Sequence, residues 1–307
     1  MNLFRRYFAG RKGLQSDALM IWTEGDEASS FRQLVFRFKK HKLAVAGLIV
    51  IIILTLCAIF APFITPYAPT AVTEKFSSPP TMQNLIGTDQ VGRDQLSRLI
   101  YAARVSLSVG VGSILIAVII GTILGLIAGF FGGWIDSVIM RITDIFMSFP
   151  YIMLILVVAS IVGPGLMNII IIFGVLGWPG VARLVRGNVL AIKETDYVKS
   201  SIVLGYGIPR ILFSHILPNT VAPILIYATS GVAGAILDEA ALSFLGLGVQ
   251  PPTPSWGNML AGAQSLTVLT SQPWLWIPPG IMIIVSVLSI NFVGDAFRDA
   301  LDPRNNK

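Results

Sequence analysis

The stretch "YVKSSIVLGYGIPRILFSHILPN", Tyr197–Asn219, decides how this chain is organised. It is polar, and it contains Gly205, Gly207 and Pro218, whereas long uncharged stretches lie on either side of it. Glycine and proline at such positions favour a turn over an uninterrupted helix. The stretch is therefore predicted to be a water-exposed insert between two apolar blocks.

The composition indicates an integral membrane protein. Of the 307 residues, 54% are hydrophobic and 12% are charged, whereas soluble domains carry about 25% charged residues. Nine of the 22 lysines and arginines precede Leu43, so the net charge of +6 is attributed to membrane topology, and no nucleic-acid partner is expected. Cys57 is the sole cysteine, so neither a disulfide framework nor a metal site is expected.

The apolar runs predict an all-α integral membrane fold with six transmembrane helices. A spanning helix needs about 20 apolar residues. Uncharged runs of sufficient length place the spans in residues 43–64, 104–136, 144–183 (two spans), 210–238 and 276–293. Within 144–183, the sequence Gly163-Pro164-Gly165 predicts the turn of a hairpin.

The distribution of positive charge predicts the topology. Six spans place both termini on one side, and with that side inside, the inner segments hold eighteen lysines and arginines against four in the outer segments. Positive residues favour the cytoplasmic side, so both termini are predicted to be cytoplasmic. The predicted divisions are a tail (1–42), the first span (43–64), an external loop (65–102), a five-helix core (103–295) and a tail (296–307).

The N-terminal tail contains an apolar pattern of helical spacing. Phe31, Leu34, Val35 and Phe38 follow i, i+3, i+4, i+7 spacing, and basic residues occupy other positions of the same segment. This spacing predicts an amphipathic helix on the membrane surface. The alternative, a basic segment that only precedes the first span, remains open.

Small residues recur every four positions along the second span. They are Ser113, Ala117, Gly121, Gly125, Gly129 and Gly133. Such a stripe allows another helix to approach closely, and the helix-packing positions are predicted to be Gly121, Gly125 and Gly129.

Asp238 and Glu239 are acidic residues near the predicted outer end of the fifth span. A charge at mid-bilayer costs about 2.5–3.5 kcal/mol on insertion scales. These residues therefore either face a pathway or outer gate, or lie at the level of the lipid headgroups, and the sequence leaves both possibilities open.

Enzymatic motifs are not found. The sequence contains neither H-E-x-x-H nor G-x-x-x-x-G-K-[ST], which would indicate a zinc protease and a phosphate-binding loop, respectively. The chain is predicted to be a conduit or carrier subunit rather than an enzyme, with any energy source other than an ion gradient supplied by another protein.

Four motifs resemble those of ABC importer permeases. Gly205 and Leu217-Pro218 match the spacing of the cytoplasmic Glu-Ala-Ala loop of that family, with Lys199-Ser200-Ser201 at the Glu-Ala-Ala positions. "GTDQVGRDQLSRLIYAARVSL" (87–107), "LSFLGLGVQPPTPSWGNML" (242–260) and "GDAFRDALDP" (294–303) resemble segments of the dipeptide/oligopeptide/nickel branch. The chain is identified as a member of this branch.

The resemblance implies a type I ABC importer (MetI-like) permease fold. It also implies that residues 197–215 form a coupling loop on a cytoplasmic ATPase. The loop residues are Lys199, Ser200, Ser201, Gly205, Ile208, Ile211, Leu212, Phe213 and Pro218. The four apolar residues from Ile208 to Phe213 would supply the contact; an interfacial helix that rests on lipid is the alternative.

The resemblance further implies a location in a bacterial or archaeal cytoplasmic (inner) membrane, and it implies the partners. They are a paralogous permease subunit, one or two cytoplasmic ABC ATPases, an extracytoplasmic peptide-binding protein and membrane lipid. No cofactor is expected in this chain, since ATP and Mg would be bound by the ATPases. The expected substrates are di- and oligopeptides; nickel or a metallophore is the alternative, and an ion-coupled carrier that uses Asp238 and Glu239 is a third hypothesis.

Overall fold

The structure, a computed structural model, describes Phe38 and residues 41–301. Apart from Phe38, the amphipathic helix predicted from Phe31, Leu34 and Val35 lies outside the described residues. Residues 302–307 of the predicted C-terminal tail lie outside them as well.

The described chain is helical apart from its connecting segments. In chain order, the helices are α1 Lys42–Ile59, α2 Ala61–Ile64, α3 Gln95–Phe131, α4 Gly133–Met147, α5 Tyr151–Val162, α6 Leu166–Lys193, α7 Asp196–Val203, α8 Ile208–Arg210, a π-helical turn Ile211–Ile216, α9 Leu217–Phe244, α10 Trp256–Leu260, a 3₁₀ turn Ala261–Gln264, α11 Leu266–Ser271 and α12 Pro273–Leu301. The strand pairing among described residues is limited to two isolated bridges in the segment before α3.

Five helical segments are long and apolar enough to cross a membrane. They are Lys42–Ile59, Gln95–Phe131, Leu166–Lys193, Ile208–Phe244 and Pro273–Ala300. The helices α4 and α5 meet the same criterion only as a pair, and they are bent by 85° at their junction. Within the described residues, the candidate spans therefore number five, or six if this bent pair counts as one span.

The bend between α4 and α5 has a local cause and a long-range cause. Pro150 precedes α5, and the residue before a proline is disfavoured in helical conformation. On α4, Asp136 is ion-paired with Arg186 and Asp144 with Arg183, which holds α4 against α6. The chain therefore changes direction after Met147 instead of continuing as one straight helix.

The segment before α3 forms a cap on that helix. The Asp94 carboxylate is buried and accepts hydrogen bonds from the Ser97 amide (2.8 Å) and hydroxyl (2.7 Å), and from the Asn84 side-chain amide (2.9 Å). Such a side chain satisfies donors that a helix start leaves free. The GTDQVGRD motif therefore has a structural role at the start of α3.

The small residues of α3 pack directly against α6. A Cβ atom on Gly121 would lie 2.5 Å from Val181 Cβ, one on Gly125 would lie 2.7 Å from Val185 Cβ, and one on Gly129 would lie 2.7 Å from Val189 Cβ. The numbering rises together along both helices, so α3 and α6 run parallel. Gly133 lies beyond the end of α3, and no described atom lies within 4 Å of its Cβ position.

Candidate functional site

The predicted coupling loop begins as a helix that ends at a glycine. Beyond α7, Gly205 has a φ of +76°. The Gly205 amide donates to the Ile202 carbonyl (3.0 Å) and the Tyr206 amide to the Ser201 carbonyl (3.1 Å). This pair of bonds is a Schellman motif, in which glycine adopts the left-handed conformation at lowest cost. No described atom lies within 4 Å of a Cβ built on Gly205, so its role is to turn the backbone.

Three large apolar side chains project from this segment. The exposed fraction is 86% for Val203, 70% for Leu204 and 64% for Phe213. Large apolar side chains that are exposed on a surface can contact a protein partner or a membrane. The sequence prediction included Phe213 and missed Val203 and Leu204, although two apolar residues directly before a turn glycine could have indicated them.

The other predicted contact residues divide between the surface and the interior. Ile208 is exposed, but Ile211 is only 2% exposed and packs in a core cluster with Val198 and Ile216, to which Leu212 adds a partly buried side chain. Ile211 therefore holds the segment onto the rest of the chain and offers no surface to a partner.

Lys199 forms an ion pair within the chain. Its ammonium lies 2.9 Å from the carboxylate of Glu194, and both side chains are exposed. The hydrogen bond from Lys199, followed by its charge, lowers the pKa of Glu194 below the usual value. Ser200 is exposed, whereas Ser201 is buried and donates to the Tyr197 carbonyl (2.8 Å).

An aromatic and cationic stack stabilises the second half of the segment. The Arg210 guanidinium lies 4.4 Å from the centre of the Tyr206 ring, which stacks on His215 at 6.2 Å and 12°. Such a cation–π contact contributes about 0.5–1 kcal/mol at an exposed site. Pro218 follows at the start of α9, directly after the π-helical turn Ile211–Ile216.

A cavity of about 330 Å³ lies between α5, α6 and α9. Tyr151 and Phe173 line it from α5 and α6, and Tyr227 and Asp238 line it from α9. The Tyr151 hydroxyl donates to the Phe173 carbonyl (3.4 Å), which fixes its ring at the cavity wall. Asp238 is the single charged residue among those that line this cavity.

Glu239 lies in the interior, on a different face of α9 from Asp238. Its carboxylate is 0% exposed and accepts hydrogen bonds from the hydroxyls of Ser243 (2.7 Å) and Ser106 (3.2 Å). These hydroxyls in turn accept from the amides of Val249 (3.1 Å) and Trp256 (3.2 Å). Glu239 therefore joins α9, α3 and the segment that precedes α10.

Neither acidic residue lies at the end of its helix. Since α9 continues to Phe244, Asp238 and Glu239 lie inside the helix, one beside the cavity and the other in the hydroxyl network. Glu239 is separated from the lipid headgroups by its burial in protein.

Two family models match the chain. The model described as "Binding-protein-dependent transport system inner membrane component" matches residues 121–307. The model described as "N-terminal TM domain of oligopeptide transport permease C" matches residues 29–85. The first covers more than half of the chain.

Curated relatives match over most of their length. The di/tripeptide transport system permease protein DppC of Pseudomonas aeruginosa is 43% identical, with 87% of this chain and 90% of that protein covered. The dipeptide transport system permease protein DppC of Alkalihalophilus pseudofirmus is 44% identical, with 90% of each covered. The glutathione transport system permease protein GsiD of Shigella flexneri is 40% identical, with 97% and 99% covered.

A solved structure has the same fold over the core. A chain of the MetNI methionine ABC transporter, in an inward-facing conformation, superposes with a TM-score of 0.54 and 20% identity, covering 67% of this chain and 97% of that one. The fold is thus that of a MetI-like ABC permease, and the chain belongs to the family of binding-protein-dependent transport system inner membrane components.

Proposed function

We propose that this chain is the permease subunit of an ATP-driven importer of di- and oligopeptides. The relatives above are named for dipeptides, di/tripeptides and glutathione, which are all small peptides. These names favour peptides over nickel. The cavity beside Asp238 and Tyr227 is the segment of the pathway that this subunit contributes.

The proposed topology has six spans and cytoplasmic termini. The bent pair of α4 and α5 counts as one span, and the excess of positive charge in the inner segments sets the orientation. With this orientation, Tyr197–Asn219 faces the cytoplasm, and the GTDQVGRD segment faces outward.

The observation that carries the proposal is the strong exposure of three large apolar side chains, Val203, Leu204 and Phe213, on the insert Tyr197–Asn219. Burial of apolar surface contributes about 25 cal/mol per Å², so a groove on an ATPase would stabilise this surface. ATP and Mg would be bound by the ATPases, and a paralogous permease would complete the pathway.

The packing of the segment provides a route for the ATPase movement. Ile211 and Ile216 belong to the same core cluster as Val185 and Val189 of α6. The valines in turn pack against Gly125 and Gly129 of α3. A push on the coupling segment would thus displace α6 and α3 together, because close-packed interiors transmit strain.

The test is co-purification of the ATPases in mild detergent with two matched variants. Val203→Asp places a charge in the proposed contact, whereas Met82→Asp places one at a 96% exposed apolar residue of the segment before α3. We expect Val203→Asp to lose most of the bound ATPase and Met82→Asp to retain it. Peptide uptake that continues after removal of the ATPases would instead establish an ion-coupled carrier.

A further inference from the structure

We infer that Asp238 binds the ammonium group of the transported substrate, so that this cavity takes the amino end of a peptide. The inference rests on the proposed function and specifies which part of the substrate this subunit contacts.

The first argument is that the Asp238 carboxylate has no partner within the described part of the chain. Among residues 41–300, no cation lies within 4.0 Å of it, and no hydrogen bond to it is formed. A charge at membrane depth is costly unless it faces a cavity or a partner. The cavity that Asp238 lines is the space available to a ligand of this carboxylate.

Glu239 and Asp238 differ in their burial and in their hydrogen bonds, although they are adjacent in the chain. Glu239 is fully buried and receives two hydroxyl hydrogen bonds. Asp238 is half-buried and receives none from the described residues. The adjacent carboxylates therefore have separate roles: Glu239 joins helices, and Asp238 is available to a ligand.

The second argument is the chemistry of the cavity wall. Aromatic rings from four helices and the α4–α5 junction line the cavity: Phe146, Phe149, Tyr151, Phe173 and Tyr227. Faces of aromatic rings attract cations, and a single negative charge completes a site for an ammonium. The same charge repels a carboxylate, so the substrate would enter with its amino end.

The size of the cavity agrees with this assignment. At about 330 Å³, it lies at the lower end of the range of ligand pockets, roughly 300–1,000 Å³. It would accept the end of a peptide, while the remainder lies in the part of the pathway formed by the partner permease. An α-amino group with a pKa near about 7.7–8.0 is largely protonated at pH 7.

The glycines of the wall keep this space open. Gly180 of α6 lies directly against the Tyr227 ring, and a Cβ on Gly180 would overlap the Tyr227 hydroxyl. Gly177 and Gly234 also line the cavity without a side chain. The room beside Asp238 therefore depends on residues that add no volume.

The test compares uptake of radiolabelled dialanine by the complete importer in proteoliposomes, with the same binding protein throughout. Asp238→Asn removes the charge at constant size, and Asp238→Glu retains it. The matched control Glu74→Gln removes a carboxylate from the exposed segment before α3. Because every complex uses the same binding protein, the selectivity of that protein cancels in the comparison.

We expect Asp238→Asn to reduce dialanine uptake at limiting substrate about tenfold or more, since a hydrogen bond to a charged group contributes enough for one to two factors of ten. Asp238→Glu should retain most of the uptake, and Glu74→Gln should match the parent in uptake and in ATP hydrolysis without peptide. N-acetyl-dialanine lacks the ammonium, so its slower uptake should be equal in Asp238→Asn and the parent.

Two results would overturn the inference and leave the proposed function standing. One is parental uptake of dialanine by Asp238→Asn. The other is loss of assembly or equal loss of uptake in Asp238→Asn and Asp238→Glu, which would make Asp238 a structural residue. If the parent complex imports no peptide at all, the proposed function fails, and the inference fails with it.

Discussion

The contact between α3 and α6 can be tested by adding one methyl group. A Cβ on Gly125 would lie 2.7 Å from the Ala182 carbonyl oxygen and 2.7 Å from Val185 Cβ, whereas carbon atoms pack at about 3.5–4.0 Å. In Gly125→Ala, the two helices must therefore separate by about 1 Å at this level. Overpacking of this kind costs about 1–3 kcal/mol.

The matched control is Gly187→Ala on α6. No described atom lies within 4 Å of a Cβ on Gly187. Both variants gain about 0.8–1 kcal/mol of helix propensity, so this term cancels in their difference, and the remaining difference of about 1–3 kcal/mol is the packing cost.

The assay is thermal unfolding of the two purified variants in mild detergent. At about 2–4 °C per kcal/mol for a chain of this size, Gly125→Ala should unfold about 2–12 °C below Gly187→Ala. Equal midpoints for the two variants would refute the close packing of α3 on α6.

Three further predictions concern the ends of helices and the coupling segment. Asp94→Ala removes the cap of α3 and leaves the buried Asn84 amide without its partner, so we expect the free energy of unfolding in detergent to fall by about 2–3 kcal/mol. Asp94→Asn should retain a measurable part of that stability. An unchanged unfolding midpoint for Asp94→Ala would contradict the cap. Gly205→Ala has room for its methyl group but places an alanine at a φ of +76°, which costs about 1–2 kcal/mol. Peptide uptake should therefore fall more in Gly205→Ala than in Gly207→Ala, because Gly207 has a φ of −62°. Equal uptake by the two variants would show that the turn is dispensable. Lys199→Glu replaces the ion pair with Glu194 by two adjacent carboxylates, so this variant should bind the ATPases more weakly than Lys199→Gln. Since Lys199 lowers the pKa of Glu194, the small stabilisation from the pair is present above the ordinary pKa of a glutamate and is lost as the pH falls through the lowered value. An identical dependence of stability on pH in the parent and in Lys199→Gln would contradict the pair.

The long apolar runs were predictable from sequence because a bilayer requires about 20 apolar residues per helix. The bend between α4 and α5 was not predictable in the same way. Part of it is local, at Pro150, but the ion pairs of Asp136 and Asp144 with α6 join residues 50 and 39 positions apart. A periodic pattern in the sequence does not indicate such long-range pairs. The count of six spans remains a prediction.

The candidate site shows the same division. The turn at Gly205 follows from local chemistry, since a glycine after a short helix favours the left-handed conformation. The different surroundings of Asp238 and Glu239 could not be predicted from the sequence, because Ser106, which donates a hydrogen bond to Glu239, lies 133 residues earlier. The exposure of Val203 and the burial of Ile211 likewise depend on how the segment packs against Val198 and Ile216.

The central claim is that the coupling segment lies in the cytoplasm against an ATPase. Cys57 is the sole cysteine, so a Cys57→Ser, Val203→Cys variant carries one reactive thiol at an 86% exposed position. A membrane-impermeant maleimide should label it in inside-out vesicles stripped of the ATPases, leave it unlabelled in intact spheroplasts, and label it less when the ATPases are bound. Labelling in intact spheroplasts, or labelling that the bound ATPases do not reduce, would contradict the account.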